Sequence, residues 1–250
     1  MAGVYYYQGM KPIMKLCRAA FWLIILMAVA SCAQDEGDQA PMLIFTQDFD
    51  FNNSEHGWGH GFADYPSNPE DSTLYELRYV YTDQPLDSKL TKRSLMLSGK
   101  NLNHDLFMYL KRKVNGLRPD TDYIITFNVE LASNLDISQY NSAGSVFLKA
   151  GATHTEPKSV IESGYYIMNI DKGNQNVAGE DMISLGDILT SGSGSSGYTL
   201  ISRNNAMGSL RYEARTNSRG ELWLIIGTDS SLEGTTTLFY SRINVVFSVS

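Results

Sequence analysis

From residue 122 the chain reads DYIITFNVEL, with Tyr123, Ile125, Phe127, Val129 and Leu131 in one register and Asp122, Thr126, Asn128 and Glu130 in the other. Successive side chains of a strand point to opposite faces, so this period of two describes a half-buried strand and not a helix. The pattern recurs along the chain. Residues 43–51 set Leu43, Phe45, Phe49 and Phe51 against Thr46, Asp48 and Asp50, and residues 105–114 set Leu106, Met108, Leu110 and Val114 against Phe107, Tyr109, Lys111 and Lys113. Further strands are expected at 145–150, 164–170, 198–202, 208–215, 221–228 and 236–249, while Tyr75, Tyr79 and Tyr81 read as core. Asn115-Gly116 and Pro119-Asp120 are turn signals, and the Ser/Gly run 191–197 is a flexible loop. Strands of this length between such turns predict one all-β sandwich over residues 42–250. A stretch of that size can bury a core of its own.

The first 31 residues read differently. Lys11, Lys15 and Arg18 precede the apolar run Ala19–Ala30, with no acid among them. Twelve helical residues reach about 18 Å, short of the roughly 30 Å hydrocarbon layer, so 1–31 is expected to be an export signal. Met1, Met10 and Met14 are each a candidate start. The run closes on Val29-Ala30-Ser31-Cys32, which resembles the lipobox of bacterial lipoproteins. The resemblance implies cleavage before Cys32, lipidation of its sulfur and a membrane partner through that lipid, and several acyl chains on one residue hold a protein firmly. Residues 32–41 continue as a short acidic tether with no apolar period, expected to be disordered. An acidic run directly after the lipidated cysteine is similar to the surface-export signals of Bacteroidota lipoproteins, which implies an outer-membrane or cell-surface location.

Cysteine and charge narrow the partners. Cys17 leaves with the leader and Cys32 is the lipidation site, so the body has no thiol and no disulfide. Removing Lys11, Lys15 and Arg18 leaves 17 basic residues against 27 acidic ones, a formal charge of −10. Such a balance argues against nucleic acid as a partner.

Several landmarks carry a second resemblance. Phe49-Asp50-Phe51 followed by Gly57-Trp58, then the stretch Gly116–Tyr123, then the closing Phe239–Val245 look like the galactose-binding-like jelly roll used by many carbohydrate-binding modules. Leu117-x-Pro-x-Thr-x-Tyr123 is also similar to fibronectin type III domains, which are about half as long. The resemblance implies a jelly-roll fold and glycan as a ligand. It implies a structural calcium as well, but Ser241-Arg242 stands where such folds often carry an aspartate.

Four kinds of site are weighed against these expectations. His56 and His60 flank Trp58 at a zinc-like spacing, but the interleaved Gly57, Gly59 and Gly61 make a poor helix, so the stretch reads as a turn with Trp58 plugging the sandwich. Asp48, Asp50 and Asn52 match the opening of a calcium loop, which then fails at Asn53 and Gly59; Asp48 and Asp50 remain the calcium candidates. No Gly-x-Ser-x-Gly elbow exists, and among carboxylates Asp64, Glu130 and Glu233 are the first catalytic suspects. Sugars stack on exposed rings beside amides and charged groups, which points to Phe107, Tyr109, Trp223 and Tyr240 with Asn128, Glu130 and Arg242, provided their strands share a sheet. The alternative for these rings is a second core covered by loops. The reading is a lipid-anchored jelly-roll that binds glycan without cleaving it. Its rivals are a polysaccharide- or ester-cleaving enzyme and a structural part of the envelope.

Overall fold

A computed structural model describes residues 44–86, 91–139, 145–191, 197–206 and 210–250. The expected leader 1–31, the tether 32–41, Cys32 and most of the 191–197 loop lie outside the described residues. Residues Leu43–Ser250 form one unit. Its described part is an all-β jelly-roll sandwich in which every strand pairing is antiparallel.

One sheet has the order β12 (Thr199–Asn204), β7 (Asp122–Ser133), β15 (Gly234–Val249), β5 (Arg93–Asn101), β4 (Arg78–Asp83). In it β1 (Ile44–Asp50) also pairs with β15, and β13 (Glu213–Arg215) with β7. The facing sheet runs β11 (Met182–Asp187), β8 (Val146–Thr153), β14 (Leu222–Ser230), β6 (Phe107–Val114), β2 (Gly59–Ala63). A small third sheet, β3 (Tyr65–Pro66), β10 (Tyr165–Met168) and β9 (Ser159–Glu162), comes from the stretch between β8 and β11 together with the residues just after β2.

The alternation at 122–131 takes the predicted sense. Tyr123, Ile125, Phe127, Val129 and Leu131 are buried, and their alternate neighbours face outward. They join Ile243, Val245 and Phe247 of β15 and Leu148, Leu224 and Ile226 of the facing sheet in one hydrophobic cluster. Truncating a ring such as Phe127 in this layer costs about 3–5 kcal/mol, because the cavity does not close. The turn before β7 is pinned by Tyr123, whose hydroxyl accepts the Arg118 N–H at 2.9 Å. At the other edge of β7, Asn205 fills the gap between β12 and β13: its Oδ1 accepts the Phe127 N–H and its Nδ2 donates to the Ile125 carbonyl.

Residues 53–58 form a turn that leads into β2. His56 and Gly57 adopt positive φ of 50° and 67°. Trp58 is buried, edge-on to Phe49 at 5.3 Å and to Phe51 at 6.2 Å between ring centroids. His56 Nε2 meets the Asp50 carbonyl at 2.8 Å, and His60 stacks on Tyr79 at 3.9 Å. The two histidines are thus committed to separate contacts.

One register shift matters downstream. Opposite β7 the pairing of β15 slips between Tyr240 and Arg242. A bulge inserts one residue, so side chains on its two sides no longer keep a common alternation. Tyr240 therefore points into the core with Leu238 and Ile243, and Phe239 packs on the opposite face with Met96 and Ala132.

Candidate functional site

The ring-bearing strands and the polar ones fall in different sheets. β6 and β14 carry Phe107, Tyr109 and Trp223 in the five-stranded sheet, while β7 and β15 carry Asn128, Glu130 and Arg242 in the other. The outer faces of a sandwich point in opposite directions, so the expected single platform is two separate surfaces.

On the five-stranded sheet, Phe107 and Tyr109 do face away from the main core. They are nonetheless 0% and 2% exposed, which corrects their assignment as surface ligand-binding rings. The stretch from 154 to 181 lies over them: its Met168 and partly buried Ile170 join Ala63, Met182 and Ile225 in a second hydrophobic cluster around the two rings. Ser159 donates its N–H to the Tyr109 hydroxyl at 3.2 Å. Tyr240 needs the same correction for a different reason, since the bulge turns it inward at 0% exposure. Trp223 keeps a partly exposed place at the margin of the cover. The Lys111 ammonium sits 5.7 Å from its ring centroid and is held by Glu156 at 2.7 Å and the Pro157 carbonyl at 2.9 Å.

The outer face of the seven-stranded sheet carries a small apolar cluster of Met96, Ala132 and Phe239 packed against Leu86 and Tyr198, and is polar around Asn128, Glu130 and Arg242. Arg242 reaches across the strand pair to both carboxylate oxygens of Asp48, with Nε to Oδ1 at 2.7 Å. That guanidinium holds the Asp48 carboxyl below the usual range. Asp50 accepts the Asn52 N–H at 3.0 Å, and Ser202 Oγ meets the Asn128 side chain at 2.8 Å. Asp50, Glu130, Ser241 and Arg242 share a shallow depression of about 80 Å³. Calcium takes six to eight oxygens at one point. Asp48 is engaged by Arg242, and among the described residues no three His, Cys, Asp or Glu side chains converge as metal ligands.

The feature that sequence reasoning passed over lies beside the cover. The β9–β10 hairpin turns at Ser163-Gly164, where φ is +51° and +84°. Strand pairing puts Tyr165 opposite Glu162 and Ile167 opposite Val160, on one face of the hairpin. Across from that face stand Asp64, Asn103 and Asp105, and the two walls enclose a groove of about 330 Å³. One wall is an aromatic ring, 46% exposed, beside an aliphatic side chain. The other is carboxylates and an amide. Burial, helped by the neighbouring Asp64 carboxylate, pushes the Asp105 carboxyl up to about 6. Burial raises Asp64 as well, with Lys172 opposing the rise. A ring and an aliphatic side chain can stack against the C–H face of a sugar, while carboxylates and an amide exchange hydrogen bonds with its hydroxyls. Asp64 was singled out in the sequence only as a lone carboxylate; nothing local linked it to a tyrosine one hundred residues on.

Behind the groove the cover is held by buried charge. Lys172 Nζ lies 2.9 Å from Asp64 and 2.8 Å from Asp229. Burial works against its charge, but the two carboxylates outweigh burial and raise its pKa. Lys149, also buried, donates to the carbonyls of Gln175 at 3.1 Å and Val177 at 2.8 Å, and burial brings it down to about 8.

No protein-family model matches the chain, and no curated protein matches it. Solved structures of similar outline include the enzymatically active domain of a tailspike protein from bacteriophage CBA120, 9% identical with a TM-score of 0.36 over 78% of this chain. The chain spans 20% of that tailspike domain. A carbohydrate-binding module studied for specific mannan recognition is 11% identical, with a TM-score of 0.38 over 83% of this chain and 98% of its own. A module in complex with β-1,4-galactotriose is 8% identical, with a TM-score of 0.34 over 78% and 92% of the two chains. Likeness at this level does not speak to ligand or activity, so the site rests on its own residues.

Proposed function

We propose that the protein is an exported, lipid-anchored jelly-roll that binds glycan without cleaving it, in the groove between the β9–β10 hairpin and the Asp64–Asp105 wall. The observation that carries the reading is the pairing of an exposed ring, Tyr165, with hydrogen-bonding groups across a groove of about 330 Å³, within the usual size of small-ligand sites. Trp223, at the far margin of the cover, is a second stacking position. Anchoring at Cys32 rests on the lipobox, and placement on the outer membrane or cell surface on the acidic tether behind it.

Calorimetric titration with a panel of neutral and acidic oligosaccharides tests the binding site. Tyr165→Ala is expected to weaken the bound glycan tenfold or more, about 1.4 kcal/mol or above. Binding that ignores this substitution removes the groove from consideration. Anchoring is checked apart from binding: Cys32→Ala should move the protein from the detergent phase to the aqueous phase.

Cleavage is the second reading, and one observation favours it. A carboxyl group at about 6 is half protonated near pH 6, closer to the working range of a general acid than an ordinary aspartate, and Asp105 stands in that range beside Asp64. Release of new reducing ends by the protein, lost in Asp105→Asn, supports cleavage; intact oligosaccharide after prolonged incubation supports binding alone.

A further inference from the structure

The stretch that covers the five-stranded sheet brings one amine between two carboxylates in a water-poor place. Lys172 Nζ is 2.8 Å from Asp229 Oδ2 and 2.9 Å from Asp64 Oδ2, and 5.1 Å from the centroid of the Phe107 ring beneath it. Side-chain exposure is 10% for Lys172, 12% for Asp64 and 0% for Asp229. The two carboxylates are not equivalent. Asp229 Oδ2 accepts an aligned hydrogen bond from Lys172 and another from the Gln175 N–H at 3.0 Å, while its Oδ1 has no partner among the described residues. Asp64 Oδ2 is as near to the ammonium but is not aligned for a hydrogen bond. The Asp64 backbone is clamped on both sides: its N–H donates to the Tyr166 carbonyl at 2.6 Å, and its own carbonyl accepts the Asn103 amide at 2.8 Å. Its φ of +64° belongs to a conformation that few residues other than glycine adopt.

We propose that Lys172 and Asp64 are joined by an intramolecular isopeptide bond, Nζ to Cγ, with Asp229 as the proton carrier. The geometry holds the amine against the acid: Nζ stays within 2.9 Å of the Asp64 carboxyl inside the folded chain, which replaces a bimolecular encounter with an intramolecular one. The step balances without a co-reactant. The Lys172 ammonium passes a proton through Asp229 to the Asp64 carboxylate, leaving a neutral amine beside a neutral acid. The amine nitrogen attacks Asp64 Cγ and gives a second proton to Asp229. Asp229 returns that proton to the Asp64 hydroxyl, which leaves as one water. The products are a neutral secondary amide, Asp229 as a carboxylate and the released water, with the net charge unchanged. Burial raises the Asp64 pKa against the pull of Lys172 and so favours the acid form that an amine attacks, while the two carboxylates raise the Lys172 pKa, so the neutral amine forms only as Asp229 takes its proton. The bond ties the covering stretch to the segment after β2, directly behind the acidic wall of the groove.

The test is a peptide map of the folded, purified full chain by mass spectrometry. The peptides carrying Lys172 and Asp64 are expected as one linked species, lighter than their sum by one water, with fragment ions that place the link between those side chains. Lys172→Arg keeps the charge but lacks the nucleophilic amine, and should return both peptides separately at full mass. A succinimide at an aspartate also loses one water but survives Lys172→Arg, which separates the two. Asp229→Asn keeps the shape without the proton carrier and should reduce the linked species to a trace. Separate peptides at full mass from the folded wild-type chain overturn the proposal, as does a link through Asp229. The wild-type map decides the matter even where a variant fails to fold.

Discussion

The two outer faces of the sandwich begin from the same strand geometry and end differently. On the seven-stranded sheet most outward positions of β7 and β15 are polar, among them Asn128, Glu130, Arg242 and Asn244, and are left partly or fully exposed, with only a small covered cluster at Met96, Ala132 and Phe239. On the five-stranded sheet the outward positions include Phe107, Tyr109 and Ile225, a patch too apolar to leave in water. The chain answers with the stretch 154–181, and that cover creates the groove. A cover laid over a sheet also traps whatever polar groups lie beneath it, which is why Lys149, Lys172 and Asp229 are buried on this side and no charged side chain is buried on the other among the described residues.

Substitutions should reveal the same contrast. The largest loss is expected from Asp229→Ala, which leaves the Lys172 nitrogen and the Gln175 N–H without their fully buried acceptor; losing a buried charge that accepts such bonds costs about 3–5 kcal/mol, measured by denaturant unfolding. Next comes Gly61→Ala on β2. A Cβ there would lie 2.3 Å from the Tyr109 hydroxyl, and overpacking beneath the cover should cost about 1–3 kcal/mol on the same assay. An equal loss from a matched alanine on the polar face would break the comparison.

A gentler effect depends on pH. In the folded protein Asp105 titrates near 6, above its ordinary 3.8, so between these values the folded state holds more protons than the unfolded one. Stability contributed by this group is present below the lower value and declines as pH rises through 6. Lys149 titrates near 8, below its ordinary 10.5, so here the unfolded state holds more protons and stability rises with pH between 8 and 10.5. Denaturation midpoints across pH should lose the first trend in Asp105→Asn and the second in Lys149→Met. The smallest effect is expected from Arg242→Ala, whose ion pair with Asp48 is exposed: about 1 kcal/mol or less, shrinking further in salt.

Much of the fold was legible. The alternation of 122–131, the Leu117–Tyr123 turn and the burial of Trp58 could be read locally, because each depends on residues within a few positions of one another. The candidate site was legible only in pieces. Phe107 and Tyr109 were correctly turned away from the main core, and a covered second core was the recognised alternative, but nothing near them in sequence says that residues 154–181 lie on top. Tyr240 was misread because a bulge at Ser241 leaves no local trace in the pattern of apolar residues.

What the amino-acid order determined by itself is the all-β class, most of the longer strands with the side of each that meets the core, and the turns around Asn115-Gly116 and Pro119-Asp120; it did not mark β2, β5, β9 or β11. The marked elements rest on periodicities of two residues and on the dihedral preferences of glycine, proline and asparagine. Only the tertiary structure decided which strands share a sheet, which outer face is covered, and that Asp64 meets Tyr165 across a groove and Lys172 behind it. Those are contacts between residues about a hundred positions apart, set by the packing of whole sheets, and a local pattern holds no record of them.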